Sequence, residues 1–174
     1  MKERPHTGTP FADAVTIARP SDDDRHMREA LEEGRAAPSH GDVPIGAVIV
    51  RDGAIIARAH NRREVDADPT AHAEVIALRA AASSLGRWRL SDCALYVTVE
   101  PCAMCAGAAV LARIALLVFG APDEKAGAVR STAEILDAPW SNHHPRWRFF
   151  PDERDEVERM LGDFFGSQRR GGAE

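Results

Sequence analysis

The 174-residue chain has little cysteine, little tyrosine and no excess of positive charge. Three cysteines and one tyrosine are present, and the net charge is −5. An odd, small number of cysteines does not form a disulfide framework, so we expect a reducing compartment, with the cytoplasm as the default. The acidic balance argues against a general polyanion binder, although a local basic patch can coexist with it.

Long hydrophobic runs are also missing. No run approaches the about 18 residues that a membrane span needs, and the N-terminus lacks the apolar stretch of a signal peptide, so we expect neither. Hydrophobic residues make up 44% of the chain and charged residues 28%, which is typical of a globular domain. Residues 1–21 carry proline and glycine without apolar periodicity and are interpreted as a flexible extension. Residues 22–170 are interpreted as one domain.

Hydrophobic periodicity predicts alternating helices and strands after the extension. A first helix, capped at Ser21, runs to about Ala37, and Asp52-Gly53 predicts a hairpin turn after a strand that ends at Val50. A second helix begins at the His72 segment and ends at Gly86. Further strands are predicted at 94–99, 115–119 and 146–150, and further helices at Pro101, at 131–136 and at 157–165. This order predicts one mixed sheet of five strands between layers of helices.

Two short segments, His72-Ala73-Glu74 and Pro101-Cys102-Ala103-Met104-Cys105, carry the residues suited to chemistry. One imidazole and two thiols form a soft ligand set that suits Zn²⁺, and three protein ligands leave a fourth tetrahedral position open. A closed structural site would need a fourth protein ligand, and none stands at finger-like spacing. The H-x-E…P-C-x-x-C arrangement is typical of zinc deaminases, in which the glutamate does not bind the metal.

The spacing of these residues fits that interpretation. Cys102 and Cys105 are three positions apart and share one face of a helix that Pro101 opens. The positive end of the helix dipole lowers the pKa of a thiol there toward the metal-binding form. His72 and Glu74 diverge in a regular helix, so one is expected to bind the metal while the other points into the adjacent pocket. Glu74 is then the candidate proton carrier.

Several residues keep an alternative interpretation. The C-x-x-C pair could be a redox pair, but this leaves His72 and Glu74 unexplained. Cys93 lies on a predicted strand and is expected to be a small buried hydrophobe. Asn142-His143-His144 fits equally well a polar lining of the pocket or a simple turn.

The zinc motif lies within a longer set of matching segments, at 42–47, 61–62, 68–74, 95–108, 118–121, 125–127, 142–143 and 164–165. Through these segments, residues 25–170 resemble bacterial tRNA-specific adenosine deaminases of the cytidine-deaminase superfamily. The resemblance implies a three-layer α-β-α cytidine-deaminase-like fold with a mixed five-stranded sheet, one Zn²⁺ per subunit and a homodimer. It also implies hydrolytic conversion of adenosine to inosine at the wobble position of a tRNA anticodon.

The same resemblance assigns roles to individual residues. It makes His72, Cys102 and Cys105 the zinc ligands and Glu74 the proton shuttle. It places the substrate contacts at Asn61, Val43, Ala73 and Asp123. An anticodon loop is already partly unstacked, which lowers the cost of flipping the target base out of the stack.

The chain departs from these relatives in two regions where substrate choice would be set. Arg130 adds bulk and charge near the expected pocket rim, and residues 146–152 replace the usual glycine-containing turn. The last helix carries six acids between Asp152 and Asp163 against two arginines, and such a surface would oppose the approach of phosphate.

Two other functions therefore stay open. One is the same deamination of a free nucleobase, a nucleoside or a biosynthetic intermediate. The other is a zinc-bearing protein without catalysis that binds RNA or assists an active subunit. Such subunits commonly lose the glutamate, whereas this chain keeps Glu74.

Overall fold

A computed structural model of the chain describes residues 20–171, so nearly all of the predicted extension at 1–21 lies outside the described residues. The helices are α1 (Asp23–Ala36), α2 (Ala73–Leu85), α3 (Ala103–Leu111) and α4 (Arg154–Gly171). The strands are β1 (Gly46–Arg51), β2 (Ala54–His60), β3 (Cys93–Val99), β4 (Leu116–Ala121) and β5 (Arg146–Phe149). Short 3₁₀ turns lie at Pro20–Asp22, Ala37–His40, Ile135–Asp137 and Pro151–Glu153.

The five strands form one mixed sheet, as predicted, in the order β2-β1-β3-β4-β5. β1 pairs antiparallel with β2 and with β3, whereas β3 with β4 and β4 with β5 are parallel. The β1–β2 turn confirms the hairpin prediction, because Asp52 and Gly53 both have positive φ angles of 51° and 75°. Such angles match the turn twist to that of the flanking strands.

Alternating side chains of the central strands build two separate cores. On β3, Ala94 and Tyr96 pack on the α1 face, whereas Leu95 and Val97 pack on the face covered by α2 and α3. α4 lies on the α1 side, where Val157 joins a small cluster with Leu31 of α1. Because both faces of the sheet are covered, β1, β3 and β4 are almost continuously buried. The predicted three-layer α-β-α architecture is confirmed.

The first residue of β1 lies unusually close to α1. A Cβ atom added at Gly46 would lie 2.0 Å from the Ala30 carbonyl oxygen and 2.4 Å from the Gly34 nitrogen. Both neighbours are backbone atoms that have no freedom to swing away. Only glycine fits at this crossing, and the close contact fixes the position where β1 begins. Ile45 directly precedes β1 in the chain, and Val43 lies two residues before Ile45.

Two helix predictions are wrong in detail. α1 begins at Asp23, after a 3₁₀ turn that includes Ser21, so Ser21 does not cap it. The helix predicted at 131–136 is absent, and only the 3₁₀ turn Ile135–Asp137 forms there. Ser131 is engaged elsewhere, because its backbone N–H and its hydroxyl both donate to the Glu100 carboxylate. The group that would have capped a helix instead holds a loop.

No helix within residues 20–171 combines the length and the apolar character needed to cross a membrane.

Candidate active site

The three predicted metal ligands converge at the N-terminal ends of two helices. His72 is the N-cap residue of α2, Cys102 is the N-cap residue of α3, and Cys105 lies in the first turn of α3. His72 Nδ1 lies 3.8 Å from Cys102 Sγ and 3.5 Å from Cys105 Sγ. Pro101 precedes the N-cap residue and lies outside the helix, which begins at Ala103, two residues later than predicted.

The donor set and its spacing fit a tetrahedral zinc ion. The three ligand atoms of His72, Cys102 and Cys105 all lie within 4.8 Å of one another, and they form the one such group within residues 20–171. Zinc bonds of about 2.0–2.1 Å to nitrogen and about 2.3 Å to sulfur place the two ligand atoms about 3.5 Å apart on a tetrahedron. The two nitrogen–sulfur distances agree with this value.

One cysteine of the site, Cys102, differs sharply in acidity from the other two, because hydrogen bonding with Cys102 and burial raise the pKa of Cys105. Hydrogen bonds from Cys105 and from His72 lower the pKa of the Cys102 thiol to about 3, so this sulfur is a thiolate suited to metal binding. Burial raises the pKa of Cys93 to about 12, and Cys93 is fully buried on β3. Cys93 is therefore an inert core residue, as the sequence indicated.

Glu74 lies in the first turn of α2, beside the metal ligands but outside the ligand group. It is 4% exposed, and this burial is the main cause that raises the pKa of its carboxyl group. A buried carboxyl group with a raised pKa holds a proton more readily than an exposed one, which suits a group that takes up and releases a proton. The geometry thus places the Glu74 carboxyl group beside His72 but outside the group of atoms that could hold a metal ion.

A cavity of about 90 Å³ opens beside these residues. Its lining consists of Val43, Ile45, Asn61, Arg63, His72, Ala73 and Glu74. The Asn61 side chain donates from Nδ2 to the Val43 carbonyl at 3.5 Å. Its Oδ1 atom is buried without a hydrogen-bond partner among the described residues. A buried acceptor left unpaired costs about 1–3 kcal/mol, so a ligand N–H or O–H group at this point would be favoured.

A model of the MafB19-like deaminases matches residues 21–169, which is most of the chain. The chain belongs to this deaminase family. The match covers every ligand and lining residue described above, and it makes the protein a hydrolytic deaminase.

Individual relatives of this deaminase are similar along nearly their whole length. A tRNA-specific adenosine deaminase of Aquifex aeolicus is 46% identical over 82% of this chain and 93% of its own. A tRNA-specific adenosine deaminase of Bacillus subtilis is 48% identical over 85% of this chain and 91% of its own. A structure solved in a study of A-to-I editing by tRNA:A34 deaminases superposes with a TM-score of 0.76 at 44% identity. It covers 79% of this chain and 99% of the solved one.

The predicted substrate contacts of the deaminase fall in two places. Val43, Asn61 and Ala73 line the cavity together with Glu74. Asp123 does not line it, and its Oδ1 accepts from the backbone N–H groups of Lys125 and Ala126. His143 also lies apart from the lining, where its Nε2 hydrogen-bonds with the Ile114 carbonyl at 2.7 Å. The interpretation of His143 as part of a turn therefore fits this structure.

The segments that depart from the relatives serve the fold. Arg130 lies with its guanidinium carbon 5.5 Å from the centre of the Phe149 ring and does not line the cavity. Residues 146–149 form β5, which pairs with β4 at the edge of the sheet. Arg148 of this strand reaches across to Asp23, where its guanidinium donates to a carboxylate oxygen at 2.7 Å.

Three acids at the start of the last helix are paired with arginines in this deaminase: Glu153 in the 3₁₀ turn before α4, and Glu156 and Glu158 of α4. Glu153 accepts from Arg28 at 3.2 Å, and Glu156 accepts from Arg35 at 2.8 Å. Both arginines belong to α1, so these acids connect α1 to α4 and to the turn before it. Glu158 accepts from Arg154 one turn earlier on α4 itself. The acidic surface that the sequence suggested is therefore partly neutralised by neighbouring arginines.

Two buried carboxylates near the site were not assigned a function from the sequence. Asp42 is fully buried and accepts from the backbone N–H groups of Glu64 and Val65 at 2.8 and 3.2 Å. Glu100 is 3% exposed. Its carboxylate accepts from the backbone N–H groups of Asp123, Val129, Arg130 and Ser131. Each carboxylate organises one loop beside the site. The sequence signal was the position of each acid next to a motif residue, Val43 or Pro101.

Proposed function

We propose that this chain is a zinc-dependent deaminase that converts adenosine to inosine at the wobble position of a tRNA anticodon. The observation that carries this proposal is the 46–48% identity to tRNA-specific adenosine deaminases over nearly their full length. The similarity spans the ligand group, Glu74 and the cavity lining. The reaction replaces the exocyclic amine of adenine by oxygen from water and releases ammonia.

The residues of the chain supply the protein's part of this chemistry. His72, Cys102 and Cys105 would hold one zinc ion, which supplies Lewis acidity that activates water at neutral pH. Glu74 holds the proton taken from water at its carboxylate and returns it to the leaving nitrogen. Its burial excludes bulk water from this exchange. Val43 and Ile45 offer apolar surface to the flat faces of a base, and Asn61 offers an amide to its edge.

The cavity size supports a substrate that inserts one base. A volume of about 90 Å³ is small for a whole nucleotide, so the base is the part of the substrate that we propose to enter the cavity. A nucleotide must therefore be flipped out of its strand to reach Glu74. The ribose and the backbone of the substrate then stay at the mouth of the cavity.

The acids of α4 and of the turn before it do not oppose this proposal as strongly as the sequence suggested. Glu153 and Glu156 form ion pairs with arginines of α1, so their charges are partly compensated. The remaining repulsion is short-ranged, since it falls within about 8 Å at physiological ionic strength.

We further propose that the protein forms a homodimer and acts in the cytoplasm, with residues 22–170 as its catalytic domain. α3 supports the first point, since it exposes Leu111 (71%) and Met104 (36%), and large exposed apolar side chains on one helix favour association. Sedimentation equilibrium of the zinc-loaded protein at micromolar concentration tests this point.

The direct test of function is mass spectrometry of nucleosides from deacylated total tRNA that has been treated with the zinc-loaded protein. We expect inosine to appear at position 34 of one cognate tRNA. A parallel panel of free bases and nucleosides should release no ammonia. The opposite result, ammonia from the panel and no inosine from tRNA, would replace the tRNA substrate by a small molecule. Retention of full activity by Glu74→Ala would exclude the catalytic role of Glu74.

A further inference from the structure

Arg63 is the one arginine or lysine among the residues that line the cavity in the described part of the chain. Its side chain is 50% exposed, whereas Asn61 and Glu74 of the same lining are buried. A side chain that lines a cavity and is half exposed lies at its mouth. With the base inserted as proposed above, the sugar-phosphate backbone of a flipped nucleotide lies at this mouth.

The loop that carries Arg63 is held rigidly. The two residues that follow it, Glu64 and Val65, donate their backbone N–H groups to the buried Asp42 carboxylate. The Arg63 carbonyl accepts from the Asp68 N–H at 3.2 Å. The backbone at Arg63 is therefore preorganised before a ligand binds. A preorganised donor loses less conformational entropy on binding.

The two adjacent arginines of the loop have different partners. Arg62 donates two hydrogen bonds, from Nε at 2.9 Å and from Nη2 at 2.8 Å, to the Asp66 carboxylate. This two-point contact closes the loop. Arg63 has one ion-pair contact, at 3.0 Å, with Glu64, whose side chain is 61% exposed. An exposed pair of this kind contributes about 0–1 kcal/mol. Arg63 can exchange it for a stronger anion at little cost.

We infer that Arg63 is a specificity-determining residue that binds the phosphodiester next to the target nucleoside of an RNA strand. A guanidinium presents planar donors that match the oxygens of a phosphate. In a chain with a net charge of −5, a local cation at the mouth supplies attraction that the whole surface does not. This inference rests on the proposed function and names how that site distinguishes a polynucleotide from a free base.

The test compares Arg63→Gln with Arg58→Gln. Arg58 is a matched control, because its side chain is 45% exposed and it forms a 2.9 Å ion pair with a glutamate, Glu29. That glutamate lies on α1, on the opposite face of the sheet from α2 and the cavity. Both zinc-loaded variants are assayed with an anticodon stem-loop over a series of salt concentrations. Melting temperatures confirm that each variant is folded.

For Arg63→Gln we expect KM for the stem-loop to rise about tenfold, as for the loss of a hydrogen bond to a charged group, with little change in kcat. The slope of log affinity against log salt should fall by about 0.7, the value for one phosphate of a single strand. Arg58→Gln should match the parent in both. Equal KM and equal salt slope for Arg63→Gln and Arg58→Gln would overturn the inference.

A second arm locates the contact on the RNA. Each phosphodiester that flanks the target adenosine is replaced in turn by an uncharged methylphosphonate. At one linkage the replacement should weaken the parent and leave Arg63→Gln unchanged, because the two changes remove the same interaction. Additive effects at both linkages would contradict the inference.

Binding measured by fluorescence anisotropy separates this inference from the proposed function. If the zinc-loaded parent forms no inosine, the proposed function fails. If Arg63→Gln then still weakens binding of the stem-loop relative to Arg58→Gln, the phosphate contact stands without that chemistry. If inosine forms and Arg63→Gln binds as Arg58→Gln does, the function stands and the contact is wrong.

Discussion

At the scale of single residues, Glu74 combines burial with a position next to the metal ligands. We predict that Glu74→Gln lowers kcat by about 10²–10⁴, the usual contribution of a positioned proton carrier. The amide has nearly the same shape but cannot exchange a proton. Zinc content, measured by plasma mass spectrometry, should remain at the level of the parent because Glu74 lies outside the ligand group.

The matched control for this variant is Glu32→Gln, since Glu32 is an exposed glutamate on a helix, paired with Arg35. It should keep full activity. Activity of Glu74→Gln within a factor of two of Glu32→Gln would show that another group transfers the proton.

The three cysteines give a second prediction at the residue scale. Cys102→Ala should lose zinc and activity together, because two remaining ligands hold the ion poorly. Cys93→Ala should keep its zinc, since Cys93 lies in the core with its pKa raised by burial. Zinc content after dialysis against a mild chelator measures both. Equal zinc retention in the two variants would contradict the ligand assignment.

The sequence was sufficient to predict which residues come together in the candidate metal group and insufficient to predict the groups that support them. His72, Cys102 and Cys105 have side chains whose type and spacing are specific to a soft metal. Asp42 and Glu100 act through backbone N–H groups that lie at least 22 residues away in the chain. Every residue except proline has a backbone N–H group, so no residue pattern indicates which of these groups will donate to a carboxylate. Arg63 was missed for a related reason, because exposure at a cavity mouth depends on the folded loop.

At the scale of elements, the loop between β2 and α2 depends on the Asp42 carboxylate. Burial alone would raise the pKa of Asp42, but hydrogen bonds from Glu64, Val65 and His40 outweigh it and lower the pKa below 3.8. A depressed native pKa means that the ionised carboxylate stabilises the fold above the unfolded value of 3.8. This stabilisation is lost as the pH falls through the native value.

We therefore predict that Asp42→Asn lowers the free energy of unfolding by about 2 kcal/mol at pH 7, as for hydrogen bonds to a charged group. The difference from the parent should stay constant down to about pH 5 and shrink below the unfolded pKa. Urea unfolding at matched zinc content measures it. The control is Asp52→Asn in the exposed hairpin turn, which should change stability by less than about 0.5 kcal/mol. A difference for Asp42→Asn that grows toward acid pH would reverse the assigned sign.

The elements themselves were predicted well where hydrophobic periodicity was strong. All five strands and the four α-helices were expected from apolar runs and turn residues, including the Gly86 cap of α2 with its φ of 62°. The helix predicted at 131–136 failed because a tertiary contact, the Glu100 carboxylate, takes the capping groups of Ser131. Local preference cannot indicate an acceptor supplied by another element.

At the scale of the whole molecule, the N-terminal boundary of the domain can be tested by truncation. We predict that deletion of residues 2–19 leaves the melting temperature and inosine formation unchanged. Deletion of residues 2–26 should unfold or strongly destabilise the chain, because it removes the buried Asp23 and His26. Asp23 accepts from the Tyr96 hydroxyl at 2.6 Å and from Arg148. Differential scanning calorimetry distinguishes the two truncations, and equal melting temperatures would place the boundary elsewhere.

The N-cap residues of α2 and α3 affect the stability of the folded protein in a cell. His72 and Cys102 occupy the N-cap positions of α2 and α3, and neither side chain makes a capping hydrogen bond. A Ser, Thr, Asp or Asn at each position would contribute about 1 kcal/mol to folding. The chain lacks this stabilisation at the two positions where it has the proposed metal ligands, and a bound metal would compensate by favouring the folded state. Zinc starvation should therefore shorten the protein's half-life before it limits the reaction rate of the molecules that remain.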